Sequence, residues 1–581
     1  MKVFAEQPNR SELSRTAEER LRLPRPGRPS AWSAGVLLVA LLVAFPVLTV
    51  FAYVFHPAGE VWRHLAETVL ADYVTNSLLL MLGVAAGTLL IGTSTAWLTT
   101  MCRFPGRRFF GWALLLPLAF PAYIIAYTYT GMLDVAGPAQ THLREWFGWQ
   151  VGEYWFPPVR SLGGAMVMLS LVLYPYVYLL ARAGFLEQSS YAVDVSRTLG
   201  CGAWASFFRV SLPAARPAII AGLSLALMET LADYGTVQYF GVSTFTTGIF
   251  RTWFGLGNSA AAAQLAALLM LFVFALILAE RRSRRKARYS HVGSRSRPLP
   301  SYPLRGVRSA LAAAACAVPL FLGFLLPCGQ LVVWAFATAQ RMVDAHFFTL
   351  VANTLSLAGS TALLAALLAL FLGYGRRLQR SAPVALAVRV ASMGYAVPGM
   401  VIAVGVMLPF AWIDNAVDAW MRAHVGVSTG LILSGTLFAL VFAYLVRFLA
   451  VSLHTVEAGL GKITPSMDEA ARSLGYRSYE VVRRVHLPII RGSLLTAVLL
   501  VFVDVMKELP ATLILRPFNF NTLAVRAYEL ASDERLADSS TAALAIVAAG
   551  IVPVILLSIS IARSRRREVS PPLTGVLTAG A

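Results

Sequence analysis

The sequence predicts an all-α membrane protein of about 12 transmembrane helices, arranged as two halves of six that repeat in parallel. Hydropathy, the placing of positive charge and an internal repeat carry that expectation. Hydrophobic residues make up 57% of the 581 positions and charged residues 13%, and the mean hydropathy is +0.66, too apolar for a water-soluble globular chain. A net charge of +20 would suit a nucleic-acid partner. The Lys and Arg residues, however, sit in short segments between apolar runs, where they encode membrane topology, so no nucleic acid is expected. Cys102, Cys201, Cys316 and Cys328 lack metal-ligand or disulfide-framework spacing.

Crossing about 30 Å of hydrocarbon takes about 20 apolar residues. The first half, 31–280, offers six such runs, at about 34–55, 76–99, 110–132, 162–183, 217–240 and 260–279. The second half, 309–562, offers six more, at about 310–335, 353–374, 387–413, 429–450, 493–515 and 541–561. An arginine-rich tail, 1–30, precedes the first run without a small-residue cleavage site, so it reads as a retained tail rather than a signal peptide. Arg103, Arg107 and Arg108, the run from Arg281 to Arg288, Arg376, Arg377 and Arg380, and the C-terminal tail 563–581 all fall on the side of that tail. By the positive-inside rule this side, with both termini, is cytoplasmic. The Ser-, Pro- and Arg-rich segment 281–308 reads as a flexible basic linker between the halves.

The repeat is countable. Asn76-Ser77-Leu78 recurs as Asn353-Thr354-Leu355, and Pro121 recurs as Pro398, each 277 positions later (353 − 76). Farther on, Arg197-Thr198-Leu199-Gly200 recurs as Arg472-Ser473-Leu474-Gly475, now 275 positions later (475 − 200). Six spans return the chain to its starting side, so the halves run in the same orientation and enclose a central pathway.

Between the fourth and fifth spans of each half lies a segment, about 187–215 and about 462–490, that carries the motif of interest. In the second half it reads Glu469-Ala470-Ala471, then Gly475, Val485 and Leu487-Pro488. These residues predict an amphipathic helix, a turn at Gly475 with φ > 0, and a second short helix ending at Pro488, with His486 as a docking contact. The first copy keeps Gly200, Val210, Leu212 and Pro213 but has Asp194-Val195-Ser196 where Glu-Ala-Ala stands in the second. An amphipathic helix lying on the membrane would explain the basic residues here, but not the fixed spacing in two copies.

This segment resembles the EAA loop of ATP-binding-cassette (ABC) importer permeases. The resemblance implies a type I importer architecture in which each loop docks on a separate cytoplasmic ATPase. Two ATPase copies would carry the ATP and Mg, leaving this chain without a cofactor of its own. Nothing here matches the phosphate-cradling GxxxxGK[ST] loop, and no nucleophile stands beside a base, so a non-catalytic subunit is expected. A twelve-span secondary transporter would also show paired halves but would not need the duplicated loops.

After each loop come two acids spaced i, i+4: Glu229 with Asp233, and Asp504 with Glu508. On one helix face at membrane depth they would line the pathway, or else cap helix packing and pair with Lys507, Arg251 or Arg516. The stretches from Leu231 to Asn258, from Lys507 to Thr512 and from Ala531 to Arg535 look like ferric-iron ABC permeases. That resemblance implies a fused permease of the bacterial inner membrane, served by a periplasmic or lipid-anchored binding protein that delivers Fe(III). Related permeases for thiamine, sulfate, phosphonate or polyamine share the architecture and remain alternatives.

Overall fold

The computed structural model describes residues 31–186, 195–196, 198–285, 302–379 and 381–569. The two terminal tails for the most part, the middle of the linker and Asp194 lie outside them. Ten described helices are long and apolar enough to cross a bilayer; an eleventh span is the pair Arg107–Ala119 and Ala122–Phe147, bent by 90°, and Ser540–Leu556 is a shorter apolar helix. These elements fall on the twelve expected runs. The chain is a multi-pass, all-helical membrane protein whose one strand pair among the described residues is Cys102–Arg103 against Tyr302–Pro303. That pair ties the end of the linker, expected to be free, to the loop after the second span.

Several boundaries differ from the expected ones, each for a local reason. The third and ninth runs break at Pro121 and Pro398, because a proline forces the residue before it out of the helical region. Phe120 and Val397 are accordingly extended, with ψ of 129° and 124°. The tenth span starts at Leu437 rather than near 429. The Asp414 carboxylate accepts the backbone N–H of Ile432, Leu433 and Ser434 at 2.7–3.2 Å, which satisfies a loop where a helix was expected. The fifth and eleventh spans stop early, at Ala232 and Met506, and those breaks build the candidate site.

The expected helix end at Pro488 is also absent: Tyr479–Met506 is one continuous span. A π turn, Val482–His486, stands just before Leu487-Pro488, and another, Phe207–Ser211, stands before Leu212-Pro213. A third, Phe321–Leu325, precedes Leu326-Pro327. In each case the proline lies two residues past the turn. Its missing N–H and its ring would disrupt the bond to the carbonyl four residues back, which lies within the turn, so the wider winding lets the helix continue.

The halves exchange their first helices. Helix Ala31–Ala52 buries Val36, Ala40, Val43 and Val50 among Val384, Val388, Val401 and Val404 of the second half. Trp32 stacks on Phe371 with ring centroids 4.8 Å apart. Reciprocally, Val307–Met342 packs Cys316, Leu320 and Phe324 among Leu116, Phe120 and Val172 of the first half, and the Tyr129 hydroxyl donates to the Leu322 carbonyl at 2.6 Å. Gly405 permits the closest approach, since a Cβ there would collide with the backbone carbonyl of Pro46.

Candidate functional site

Each fifth span is a broken helix, and an acid sits in each break. In the first half, Leu212–Ala232 ends at Asp233, which is extended; its carboxylate then accepts from Thr236 N at 3.1 Å, Val237 N at 3.2 Å and Thr236 Oγ1 at 3.0 Å, capping the short helix Gly235–Tyr239. In the second half, Leu487–Met506 ends before Glu508, whose Oε1 accepts from Ala511 N at 3.0 Å at the start of Pro510–Leu515. Pro510 forbids the helix to run through. Glu229 with Asp233, and Asp504 with Glu508, therefore do not share one continuous helix face as the i, i+4 spacing implied. The break sets the second acid of each pair one residue ahead of the N-cap, Tyr234 or Leu509, where its carboxylate accepts the free N–H groups of the next helix.

The repeated Asn-Ser/Thr motif anchors the chain just past each break. Asn76 Nδ2 donates to the Ser243 carbonyl at 2.9 Å and Asn353 Nδ2 to the Asn521 carbonyl at 3.2 Å. Thr354 Oγ1 accepts from Leu523 N at 2.9 Å, and Ser77 Oγ faces Phe245 N in the same way. The second span of each half thus pins the turn that leads into Phe245–Phe250 or Leu523–Ser532. Backbone this irregular is tolerated at membrane depth where it lines a cavity rather than lipid.

Such a cavity exists, about 100 Å³, between the halves. All four acids line it, with Arg447, Lys507, Tyr123, Tyr176 and Tyr395. Lys507 Nζ lies 2.9 Å from Asp504. Arg447 Nη2 lies 3.9 Å from Glu229, and Nη1 lies 3.4 Å from Glu508. Four carboxylates against two cations leave the lining negative. Of the partners expected for these acids, Lys507 is present, whereas Arg251 and Arg516 bond instead to Ser243 and Glu529.

At the far end of the spans from the loop motifs, Arg160 makes a two-pronged pair with Glu534 at 2.7 and 2.8 Å, reaches Asp134 at 3.5 Å and lies over the Tyr239 ring. The Arg160 hydrogen bonds hold the Glu534 carboxyl below its ordinary value of 4.5. A lowered carboxylate stabilises the fold above that ordinary value, and the contribution is lost as pH falls through the lower, folded-state value. The pair is exposed, so its worth is small, under about 1 kcal/mol. The melting temperature of Glu534→Gln should therefore lie slightly below wild type near neutral pH and converge with it as the pH falls below 4.5 and through the lower folded-state value. A gap that widens in acid would contradict the assignment.

The second loop segment is a helical hairpin at the opposite end, and the described residues of the first lie at the same end. In the second, Pro465–Ser473 is followed by Gly475 at φ +84°, and Gly200 has φ +81° in the first. Glu469, Ala470 and Gly475 are exposed, while Ala471 packs inward. Val485 and Leu487 are half-buried and Pro488 exposed, and Val210, Leu212 and Pro213 repeat that sequence of exposures. Leu474 and Tyr479 project into solvent at the tip, as do Leu199 and Trp204 in the first copy. His486, expected to be a docking contact, is instead buried. It bonds to the Tyr374 hydroxyl and, through Nε2 at 2.5 Å, to Asp468, which Arg377 also holds at 2.6 Å. Burial raises the Asp468 carboxyl, but the bonds from Arg377 and His486 outweigh it, and the group stays below its ordinary value. These contacts clamp the hairpin to Ala345–Leu378.

Residues 362–568 match the family described as binding-protein-dependent transport system inner membrane component. The second half is a permease domain of that family. Over 92% of its length the chain is 27% identical to an Fe(3+)-transport system permease protein, FbpB 2, of Haemophilus influenzae, covering 99% of that relative. A ferric transport system permease protein of Actinobacillus pleuropneumoniae is 23% identical over 90% of the chain and 76% of its own length. The molybdenum transport permease ModB of Escherichia coli is 28% identical but spans only 30% of the chain. Relatives named as transport permeases span most of both halves, in keeping with the internal repeat.

Sequence reasoning about this permease missed Arg447. Its signal was present: one arginine inside the apolar run Leu437–Leu460, where a charge is costly unless paired or functional. It has no copy in the first half, where Val172 stands 275 positions earlier (447 − 275), so a search for duplicated residues passes over it. The hairpins give a direct expectation. Gly475→Val meets open space, so its cost is backbone strain alone, about 1–2 kcal/mol. If the hairpins dock a separate ATPase subunit, as the resemblance implies, co-purification with that subunit should fall about tenfold, with a smaller loss for Gly200→Val. Undiminished association of Gly475→Val would show that the turn does not shape the dock.

Proposed function

We propose that this permease forms the translocation pathway for ferric iron in the bacterial inner membrane, with both termini cytoplasmic. Two copies of a cytoplasmic ABC ATPase dock on the hairpins at Gly200 and Gly475 and supply ATP hydrolysis with Mg, while this chain is non-catalytic. A periplasmic or lipid-anchored binding protein delivers the ion to the opposite end, near Arg160 and Glu534. The halves are 31–280 and 309–562, joined by the linker 281–308, and the dock in each comprises Gly200, Val210, Leu212 and Pro213, or Glu469, Ala470, Ala471, Gly475, Val485, Leu487 and Pro488. Asp194 belongs to the first by its place in the repeat.

The observation that carries the cargo assignment is the negative lining of the central cavity, where Glu229, Asp233, Asp504 and Glu508 outnumber Arg447 and Lys507. A lining of that sign favours a cation and opposes an oxyanion such as molybdate. It agrees with the names of the ferric transport permeases that cover most of the chain. The decisive experiment reconstitutes the permease with its ATPase and binding protein in vesicles and follows radioactive Fe(III). ATP-dependent iron accumulation is expected; accumulation of an anion, thiamine or a polyamine in its place would overturn the cargo, and uptake without ATP would overturn the coupling.

A further inference from the structure

Among the cavity's charges, Arg447 is held in a manner unlike the rest. Its guanidinium lies between Glu229 of the first half and Glu508 of the second, at 3.9 and 3.4 Å. A well-made arginine–carboxylate pair closes to about 2.7–2.9 Å. This protein makes such pairs elsewhere, at 2.6 Å between Arg377 and Asp468 and 2.7 Å between Arg160 and Glu534. Arg447 Nε has no hydrogen-bond partner, nor has the Tyr123 hydroxyl at the same cavity, although the two residues are only 6% and 5% exposed. A buried cation with an unmet donor and two long contacts is poorly satisfied, and that leaves it exchangeable. Nothing in the repeat demands it, since Val172 holds the corresponding position. Gly399 keeps the space open, because a Cβ there would collide with both Arg447 Nη1 and Glu508 Oε1.

We infer that Arg447 is a tethered counter-ion: it neutralises Glu229 and Glu508 while the pathway is empty and is displaced from between them by the cation in transit. This rests on the cation-transport function proposed for the cavity. In the empty cavity the arginine spares the membrane interior two unpaired carboxylates. During passage the cation takes over those carboxylates and the guanidinium swings away, so the same residue sets how tightly the pathway holds its cargo. Specificity for positive cargo would follow, since an anion cannot replace a guanidinium between two carboxylates.

The test uses the purified full-length permease in lipid nanodiscs and Tb³⁺ as the probe, whose luminescence is excited through nearby tyrosines such as Tyr123. Removing a unit positive charge within about 4 Å of the site is expected to tighten Tb³⁺ binding at least about tenfold in Arg447→Gln. The gain should vanish when Glu229→Gln and Glu508→Gln are added, which subtracts any surface binding common to all variants. Gly399→Ala, which keeps every charge but pries Arg447 from Glu508, should move affinity the same way and serves if Arg447→Gln does not fold. Unchanged Tb³⁺ affinity in a folded Arg447→Gln or Gly399→Ala permease would overturn the inference. Failure of the cargo assignment reads out separately: wild-type vesicles would then carry another solute and no iron, whatever Tb³⁺ does.

Discussion

Asp504→Asn is expected to destabilise the permease by about 3 kcal/mol, because it strands the Lys507 ammonium in a largely buried site without the carboxylate that pairs with it at 2.9 Å. The Lys507 side chain is 28% exposed and that of Asp504 17%, which places the cost at the low end for a broken buried pair. Asp504→Asn with Lys507→Met should recover most of the loss, since an apolar chain of similar volume needs no partner. Glu229→Gln should behave differently. Its ion pair among the described residues is the long 3.9 Å contact with Arg447, which keeps Glu508 when that contact is lost, so stability should change far less than in Asp504→Asn while iron uptake falls several-fold. The melting temperature of the purified protein, read beside vesicle uptake, separates the two. If Asp504→Asn melts with wild type, the Lys507 pair contributes nothing and both acids serve the pathway alike.

Gly405→Val should cost about 3 kcal/mol or more and weaken the clasp between the halves. A Cβ at Gly405 meets the Pro46 carbonyl, and a backbone atom cannot rotate aside as the tip of a flexible side chain would. Helix Ala31–Ala52 would have to lift from the second half, exposing Val36, Val43 and Val50. Denaturant unfolding would measure the loss, and a protease site introduced between residues 52 and 59 should be cut faster. Gly475→Val, with open space around its added atoms, should lose only the smaller cost of backbone strain, about 1–2 kcal/mol, and leave the rate of that cleavage unchanged, so the two variants separate packing from turn geometry.

Much of this was legible in the residues because the repeat doubles every signal. Pro121 and Pro398 mark the same bend, and Gly200 and Gly475 the same left-handed turn. Less legible was whatever depends on neighbours distant in the chain. The breaks after Ala232 and Met506 escaped the hydropathy reading, because a capped half-helix is as apolar as a continuous span; Gly235 and Pro510 were the local clues. His486 looked exposed because its motif sits in a loop, yet Tyr374, more than a hundred residues earlier, covers it. Arg447 gained its meaning only when Glu229 and Glu508 were brought to either side of it.

The exchanged first helices also set how this protein yields under load. A pull on the N-terminus draws Ala31–Ala52 out of the opposite half, so the distant half loses its wall before the near one unravels. Extraction from the membrane by an unfolding machine would then disarm the whole pathway in its first step, with most of the chain still embedded.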